Sequence, residues 1–307
     1  MADDAAMKLL FSEQNSDYEN YQFPYAVWAF PEAGETPADI FNAGFLPSSR
    51  NLDRFYLCRQ VRVNLAKFKP SSENRRILRK GKGINVELVP REKYDYSSGR
   101  REFFKTYADI KFGKDVMTFE RLDALFVSPI ISHLLVFTDL ETEKEIGVAT
   151  IYLEGKSRWG EATDEPPLQN FGASRSARGD ARPTKSQEGK SLAFYYYAFY
   201  DLNYYARNLG MFMMTSAAAL FAERGCKHLY LGTCYSDNAL YKTQFAGAEF
   251  FNGFRWSDDL DELKFIIQRD KKNLSQHLLE TEEFREKFYG GDLEKMTDAG
   301  EFRVKVK

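Results

Sequence analysis

Residues 192–200 read LAFYYYAFY, residues 211–224 read MFMMTSAAALFAER and residues 228–232 read HLYLG. The first is an aromatic run of strand length bounded by polar sequence. The second is an apolar segment of helical length, closed by Gly225, a residue that suits a helix end because it takes positive φ without steric cost. The third is another short apolar run, and 238–245 follows as a short helix. The resulting order is β-α-β-α, and a strand-helix-strand connection within one sheet implies that its two strands lie parallel.

Outward from this core, 133–139 and 145–153 form a hairpin-like strand pair around the polar turn 140–144, and 84–89 is a further strand. In 59–68, Val61, Val63 and Leu65 alternate with Arg62, Asn64 and Ala66, which is strand spacing. Helices are expected at 37–42, ending before Gly44, at 97–111 with Phe103, Phe104 and Tyr107 on one side, and at 121–126. After Pro70, Ser71 and Ser72 are plausible caps for a turn or short helix over 74–80. A last strand is expected at 263–268, with helical stretches in 274–289. The segment 155–190 is rich in Gly, Ser, Pro, Arg and Glu and offers little apolar area to offset chain entropy, so it reads as a poorly ordered insertion.

The chain has 307 residues, 43% of them hydrophobic, enough for a substantial core. The first seven residues carry two aspartates and no basic segment, and no apolar run approaches the ~18 residues of a membrane span, so a cytoplasmic protein with no membrane partner is expected. Three cysteines, Cys58, Cys226 and Cys234, lack CxxC spacing, and His133, His228 and His277 lie far apart. Neither a disulfide framework nor a metal site is expected from such a set. The formal net charge is -2. That figure conceals a basic stretch: 50–82 holds 11 Lys and Arg against Asp53 and Glu73. A local excess of this size attracts phosphate backbones or acidic peptides.

Open sheets of this kind hold ligands outside the carboxyl ends of their strands, here Tyr200-Asp201 and Leu231-Gly232-Thr233-Cys234-Tyr235. Asn208-Leu209-Gly210 opens the next helix, whose free N–H groups suit a phosphate or an oxyanion. The layout resembles the N-acetyltransferase (GNAT) fold: a mixed α/β sheet flanked by helices, with an N-terminal α+β region. The GNAT pyrophosphate loop reads R/Q-x-x-G-x-G/A. Arg207 and Gly210 match it, whereas Phe212 stands where a small residue belongs, and a ring there is expected to crowd the approach of pyrophosphate.

An ordered set of further motifs resembles the arginyl- and leucyl-tRNA-protein transferases, a family built on a GNAT-like fold. In the C-terminal half these are Phe199-Tyr200-Asp201, Asn208-Leu209-Gly210 with Gly210 nine residues after Asp201, His228-Leu229-Tyr230-Leu231-Gly232-Thr233, Leu240-Tyr241-Lys242 with Phe245, and Gly253-Phe254-Arg255-Trp256. In the N-terminal half they are Gly44-Phe45-Leu46-Pro47-Ser48, Cys58, Gln60-Val61-Arg62-Val63, and Phe68-Lys69-Pro70-Ser71-Ser72-Glu73-Asn74-Arg75-Arg76. The chain departs from the family by keeping only Cys58 of a cysteine group, so a cluster or metal of that region should be absent. It also shortens the loop between Gly232 and Tyr241, from which an altered acyl preference or a loss of activity is expected, and it adds 155–190.

The resemblance implies transfer of an arginyl or leucyl group from charged tRNA to the N-terminal amine of a protein starting with an acidic residue. Aminoacyl-tRNA is then a co-substrate, no cofactor or DNA is needed, and acceptor protein N-termini are the partners. It implies catalytic parts for Asp201, Gly232, Thr233 and Tyr241: Asp201 positioning the ammonium and accepting its proton, N–H groups at Gly232 and Thr233 or at the helix opening after Gly210 facing the oxyanion, and Tyr241 protonating the leaving oxygen. Substrate contacts fall to Arg62, Arg75, Arg76, Tyr200, Asn208, Gly210, Tyr235 and Lys242, with Arg75 and Arg76 expected at one cleft with Asp201, Gly232 and Tyr241. The expected organisation is an N-terminal region 1–127, an acyltransferase region 128–270 and a charged tail 271–307. A CoA-dependent N-acetyltransferase and a catalytically altered binding descendant stay open beside it.

Overall fold

The computed structural model describes residues 8–13, 25–154, 191–204, 208–272, 278 and 281–298. The expected insertion 155–190, together with Arg207 and His277, lies outside the described residues. The fold is mixed α/β, a large mixed sheet flanked by helices. An eight-stranded sheet has the order β12-β11-β5-β10-β9-β8-β7-β6, with β5 at Gln60–Asn64, β6 at Ile84–Pro90, β7 at His133–Asp139, β8 at Glu145–Glu154, β9 at Leu192–Tyr200, β10 at His228–Thr233, β11 at Ala248–Phe251 and β12 at Trp256–Ser257. The chain divides into two compact units, one of Met1–Ser49, Asp53–Arg62 and Gly232–Lys307, the other of Arg50–Leu52 and Val63–Leu231.

In the second unit β10 pairs parallel with β9, His228 opposite Leu192, as the crossover implies. From β9 the sheet continues antiparallel through β8 and β7 to β6. The β8–β9 register shifts between Ala149 and Ile151; there Thr150 Oγ1 accepts the Tyr197 N–H at 2.9 Å and lies 3.3 Å from the Tyr197 carbonyl, so the irregularity leaves that peptide satisfied. Helix α2 (Ser72–Lys80) begins in a reciprocal cap, Ser71 with Asn74. Helix α3 (Ser98–Phe112) packs on β9 through Phe104 and Tyr107, whose rings lie 4.8 and 5.8 Å from that of Phe199. Helix α4 (Phe119–Phe126) adds Phe126 to the same stack, 5.1 Å from Phe104. Helix α5 (Leu209–Glu223) is apolar around most of its circumference and is buried from Phe212 to Phe221, the pattern of a helix covered on several sides.

In the first unit β1 (Lys8–Glu13), β2 (Tyr25–Phe30), β3 (Phe45–Pro47) and β4 (Phe55–Leu57) form a separate antiparallel sheet in the order β1-β2-β4-β3. Helix α1 (Pro37–Asn42) starts from a Thr36–Asp39 capping box. Gly44 follows at φ +96°, where a Cβ would stand 2.5 Å from the Phe251 ring, so both backbone and space require glycine.

Two expectations are corrected here. The segment 263–268 is no strand but the middle of α6 (Leu260–Asp270), whose Asp259 side chain accepts the N–H groups of Asp261 and Glu262. Its buried Leu263, Ile266 and Ile267 stand at i, i+3 and i+4, helical spacing on a stretch short enough to pass for a strand. The helix expected at 238–245 is a 3₁₀ turn over Asp237–Thr243. Helices α7 (Glu282–Tyr289) and α8 (Leu293–Asp298) complete the described chain.

Candidate functional site

The residues expected at one cleft divide between the units: Arg75, Arg76, Tyr200, Asp201, Asn208 and Gly210 belong to the second, Arg62, Gly232, Thr233, Tyr235, Tyr241 and Lys242 to the first.

In the second unit β9 ends at Tyr200, and the Asp201 N–H donates to the Ile146 carbonyl at 2.8 Å. The Asp201 carboxylate accepts the Asn203 N–H at 2.9 Å and Lys144 Nζ at 3.1 Å. Partial burial acts to raise this acid, but the Asn203 N–H and the Lys144 ammonium outweigh it and hold the carboxyl below its ordinary range. A carboxylate kept ionised in this way is a poor proton acceptor. It is suited instead to holding a cation.

Asn208 opens α5 in the left-handed region, φ +78°, and its side chain makes no capping hydrogen bond. Short polar side chains tolerate this conformation best after glycine. A Cβ on Gly210 would stand 2.9 Å from the Tyr200 hydroxyl, so the helix opening admits Tyr200 only because residue 210 has no side chain. Arg76 and Lys80 of α2 line a small surface pocket with Asn208, Phe212 and Gly81. Arg76 also meets Glu73 in a two-toothed pair at 2.6 and 2.5 Å, while Arg75 donates to the Pro70 carbonyl at 2.7 Å on the exposed side. Residue 76 of the basic motif and residue 208 of the helix opening thus share one pocket. The Phe212 ring is buried, 6.0 Å from Phe137, and takes the place that a Cβ on Gly81 would fill. Its bulk is received by the gap over Gly81 instead of standing free at the opening.

In the first unit the end of β10 carries Gly232 at φ +81°. Lys242, from the 3₁₀ turn, reaches back so that Nζ donates to the Thr233 carbonyl at 2.7 Å and lies 3.7 Å from the position of a Cβ on Gly232. Burial lowers the Lys242 amine below its ordinary value, and the neighbouring Cys234 and Cys58 oppose that shift. Burial likewise pushes the Cys58 and Cys234 thiols up. Tyr241 is 46% exposed. The turn that carries it is tied at Asp237, which accepts Lys271 Nζ at 2.5 Å and Gln268 Nε2 at 3.2 Å.

Tyr235 and Arg62 are engaged in contacts within the first unit. The Tyr235 hydroxyl accepts the Arg59 N–H at 2.8 Å, the Arg59 guanidinium stands 5.0 Å over the ring and pairs with Asp270 at 2.7 Å, and burial pushes the phenol well up. Arg62 pairs with Glu249 at 2.8 Å and stacks 3.7 Å over Trp256, whose Nε1 donates to the Asn42 carbonyl. No group of His, Cys, Asp and Glu among the described residues is arranged to hold a metal ion. No helix among them is long and apolar enough to cross a membrane.

What sequence reasoning missed is the state of Lys242. It stands in a motif read for its charge, and the glycine at 232 beside it was the available signal that something approaches the end of β10 closely.

No family model and no curated protein matches the chain. Among solved structures, it is similar to the C-terminal domain (DUF2156) of a lysylphosphatidylglycerol synthetase from Agrobacterium fabrum, at 13% identity and TM-score 0.37, covering 58% of this chain and 46% of that one. It is similar to L-PGS from Bacillus licheniformis at 11% identity and TM-score 0.33, with the same coverage. A GCN5-related glucosamine N-acetyltransferase region of a fungal multi-domain GH3 β-N-acetylglucosaminidase matches at 12% identity and TM-score 0.35, over 63% of this chain and 19% of that one. The chain spans less than half the length of each of these structures. At such TM-scores none of the likenesses bears on activity.

Proposed function

We propose that the chain transfers an arginyl or leucyl group from charged tRNA to the N-terminal amine of a cytoplasmic protein, one beginning with an acidic residue. The observation that carries this reading is the pocket shared by Arg76, Lys80 and Asn208. Two motifs 132 positions apart, each singled out by the resemblance, supply to it the Arg76 side chain and the opening of a 15-residue helix, and Lys80 adds a second cation. Guanidinium, ammonium and helix N–H groups together suit a phosphate of the tRNA acceptor end.

The reaction is aminolysis of an ester, and orientation of the two reactants supplies much of its rate. Gly232 and Thr233 offer N–H groups for the oxyanion, and the exposed Tyr241 is the donor to the leaving ribose oxygen. Arg62 and Tyr235 keep structural parts.

A panel of charged tRNAs, each with a labelled aminoacyl group, tests the reading against peptides starting with Asp or Ala. Label should pass to the Asp peptide from one of them. Replacing Arg76 and Lys80 together by Ala should weaken tRNA binding and flatten its salt dependence by up to about two units of slope, at ~0.7 to 0.9 per phosphate contact. Label transfer from none of the charged tRNAs would overturn the proposal.

The burial of Phe212 against Gly81 favours a second reading, CoA-dependent acyl transfer, because the ring expected to crowd a pyrophosphate is turned into the protein. Thermal stabilisation by acetyl-CoA, with no label transferred from any tRNA, would select it.

A further inference from the structure

Lys242 is a largely buried amine with one hydrogen-bond acceptor, the Thr233 carbonyl at 2.7 Å, and no carboxylate pairs with it among the described residues. Three N–H bonds make an ammonium demand more than a single carbonyl can satisfy, whereas a neutral amine needs only one acceptor and keeps a lone pair. The groups around it do not compensate a charge. Cys58 and Cys234 are thiols whose ionisation burial opposes, and the Tyr241 ring lies 6.0 Å from Nζ. Beyond them Arg59 is committed to Asp270, and Asp237 to Lys271 and Gln268. On the remaining side Gly232 leaves the end of β10 without a side chain, 3.7 Å from Nζ to where a Cβ would stand. The arrangement is an amine in low dielectric facing an unfilled gap at the end of a central strand, the place where such sheets bind ligands.

We propose that Lys242 is the base of the acyl transfer, a role distinct from the phosphate or carboxylate contact that its charge alone suggests. The inference rests on the reading under Proposed function. As the α-amine nitrogen bonds to the ester carbonyl carbon, its proton passes to Lys242 Nζ. When the bond between that carbon and the ribose oxygen breaks, Tyr241 gives its hydroxyl proton to the departing oxygen and is reprotonated from Nζ. Amide and ribose hydroxyl are formed, and Lys242 ends neutral as it began.

The test has two arms on the full chain. In the first, brief acetylation by acetic anhydride across a pH series, followed by peptide mass analysis, reads the pH at which each lysine becomes a free amine. Lys264 and Lys295, with side chains 58% and 71% exposed, serve as references. Lys242 should react with a midpoint at least about one pH unit below theirs, in line with the downward shifts of buried lysines. A midpoint equal to theirs, or no reaction at any pH, overturns the proposal, since a base that meets a substrate amine is open to a small reagent.

In the second arm, Lys242→Arg keeps the positive charge and removes the neutral amine. Transfer should fall about 10² to 10⁴-fold with tRNA binding retained, and methylamine should restore part of it to Lys242→Ala. Arg at near wild-type rate overturns the assignment. If wild-type protein transfers no label from any tRNA, the function reading fails, and the acetylation midpoint still decides the state of Lys242; if a variant does not fold, that same midpoint carries the decision.

Discussion

Two buried charges in the first unit are treated in opposite ways. Glu262 is wholly buried, yet its carboxylate receives Ser257 Oγ at 2.6 Å, Asn252 Nδ2 at 2.8 Å, the Tyr289 hydroxyl at 3.3 Å and Arg255 Nη2 at 3.4 Å. Both oxygens are satisfied and the charge faces a guanidinium. Lys242 has one carbonyl and no carboxylate among the described residues. A charge removed from water costs several kcal/mol unless partners replace the lost solvation. Glu262 therefore binds α6 and α7 to the β11–β12 turn, while Lys242 is a place where stability is given up. Such uncompensated sites cluster where chemistry is done.

The comparison breaks most visibly at Glu262. Glu262→Ala strands Arg255 and three donors, and should cost about 3–5 kcal/mol in urea unfolding; a loss under ~1 kcal/mol would show that the network carries little. Tyr289→Phe is smaller, since its hydroxyl is shared with Asn252 at 3.2 Å and Arg255 at 2.9 Å, leaving each with other partners. About 1–2 kcal/mol is expected from the same measurement.

Lys242→Met should change stability least and with the opposite sign, a gain of about 0.5–1 kcal/mol at neutral pH. The pH dependence follows from the downward shift of Lys242 from its unfolded value of 10.5. Between the folded and the unfolded pKa the unfolded chain binds more protons, so the wild type gains stability as pH rises through that window. The variant lacks this gain, and its advantage should shrink toward pH 10.5, read from paired melts. A Met variant less stable than wild type at all pH values would place Lys242 with Glu262 as a structural group.

The strands and helices of the second unit were legible because each carries its own pattern. Leu192–Tyr200 is bounded by polar sequence, and α2 is announced by Ser71 three residues before Asn74. Leu263, Ile266 and Ile267 failed as a pattern because six residues hold too few repeats to separate a period of 3.6 from one of 2. The strands β1, β3, β4, β11 and β12 have at most six residues, and β12 has two. Runs this short hold too few residues for an alternation of period two to register, even where the partner is a close neighbour such as β12 for β11.

Sequence by itself determined the mixed α/β class, the parallel β9–β10 pair, the basic character of 50–82 and the glycines at 44, 210 and 232, because backbone preference, burial period and charge are local properties of residue type. Tertiary structure alone decided which charges are neutralised. Arg62 went to Glu249 and Trp256, Arg59 to Asp270, Asp201 to Lys144, and Lys242 to a lone carbonyl. Solvation and Coulomb energy depend on which atoms meet and how far water is excluded, and both are set by contacts between positions up to 214 residues apart.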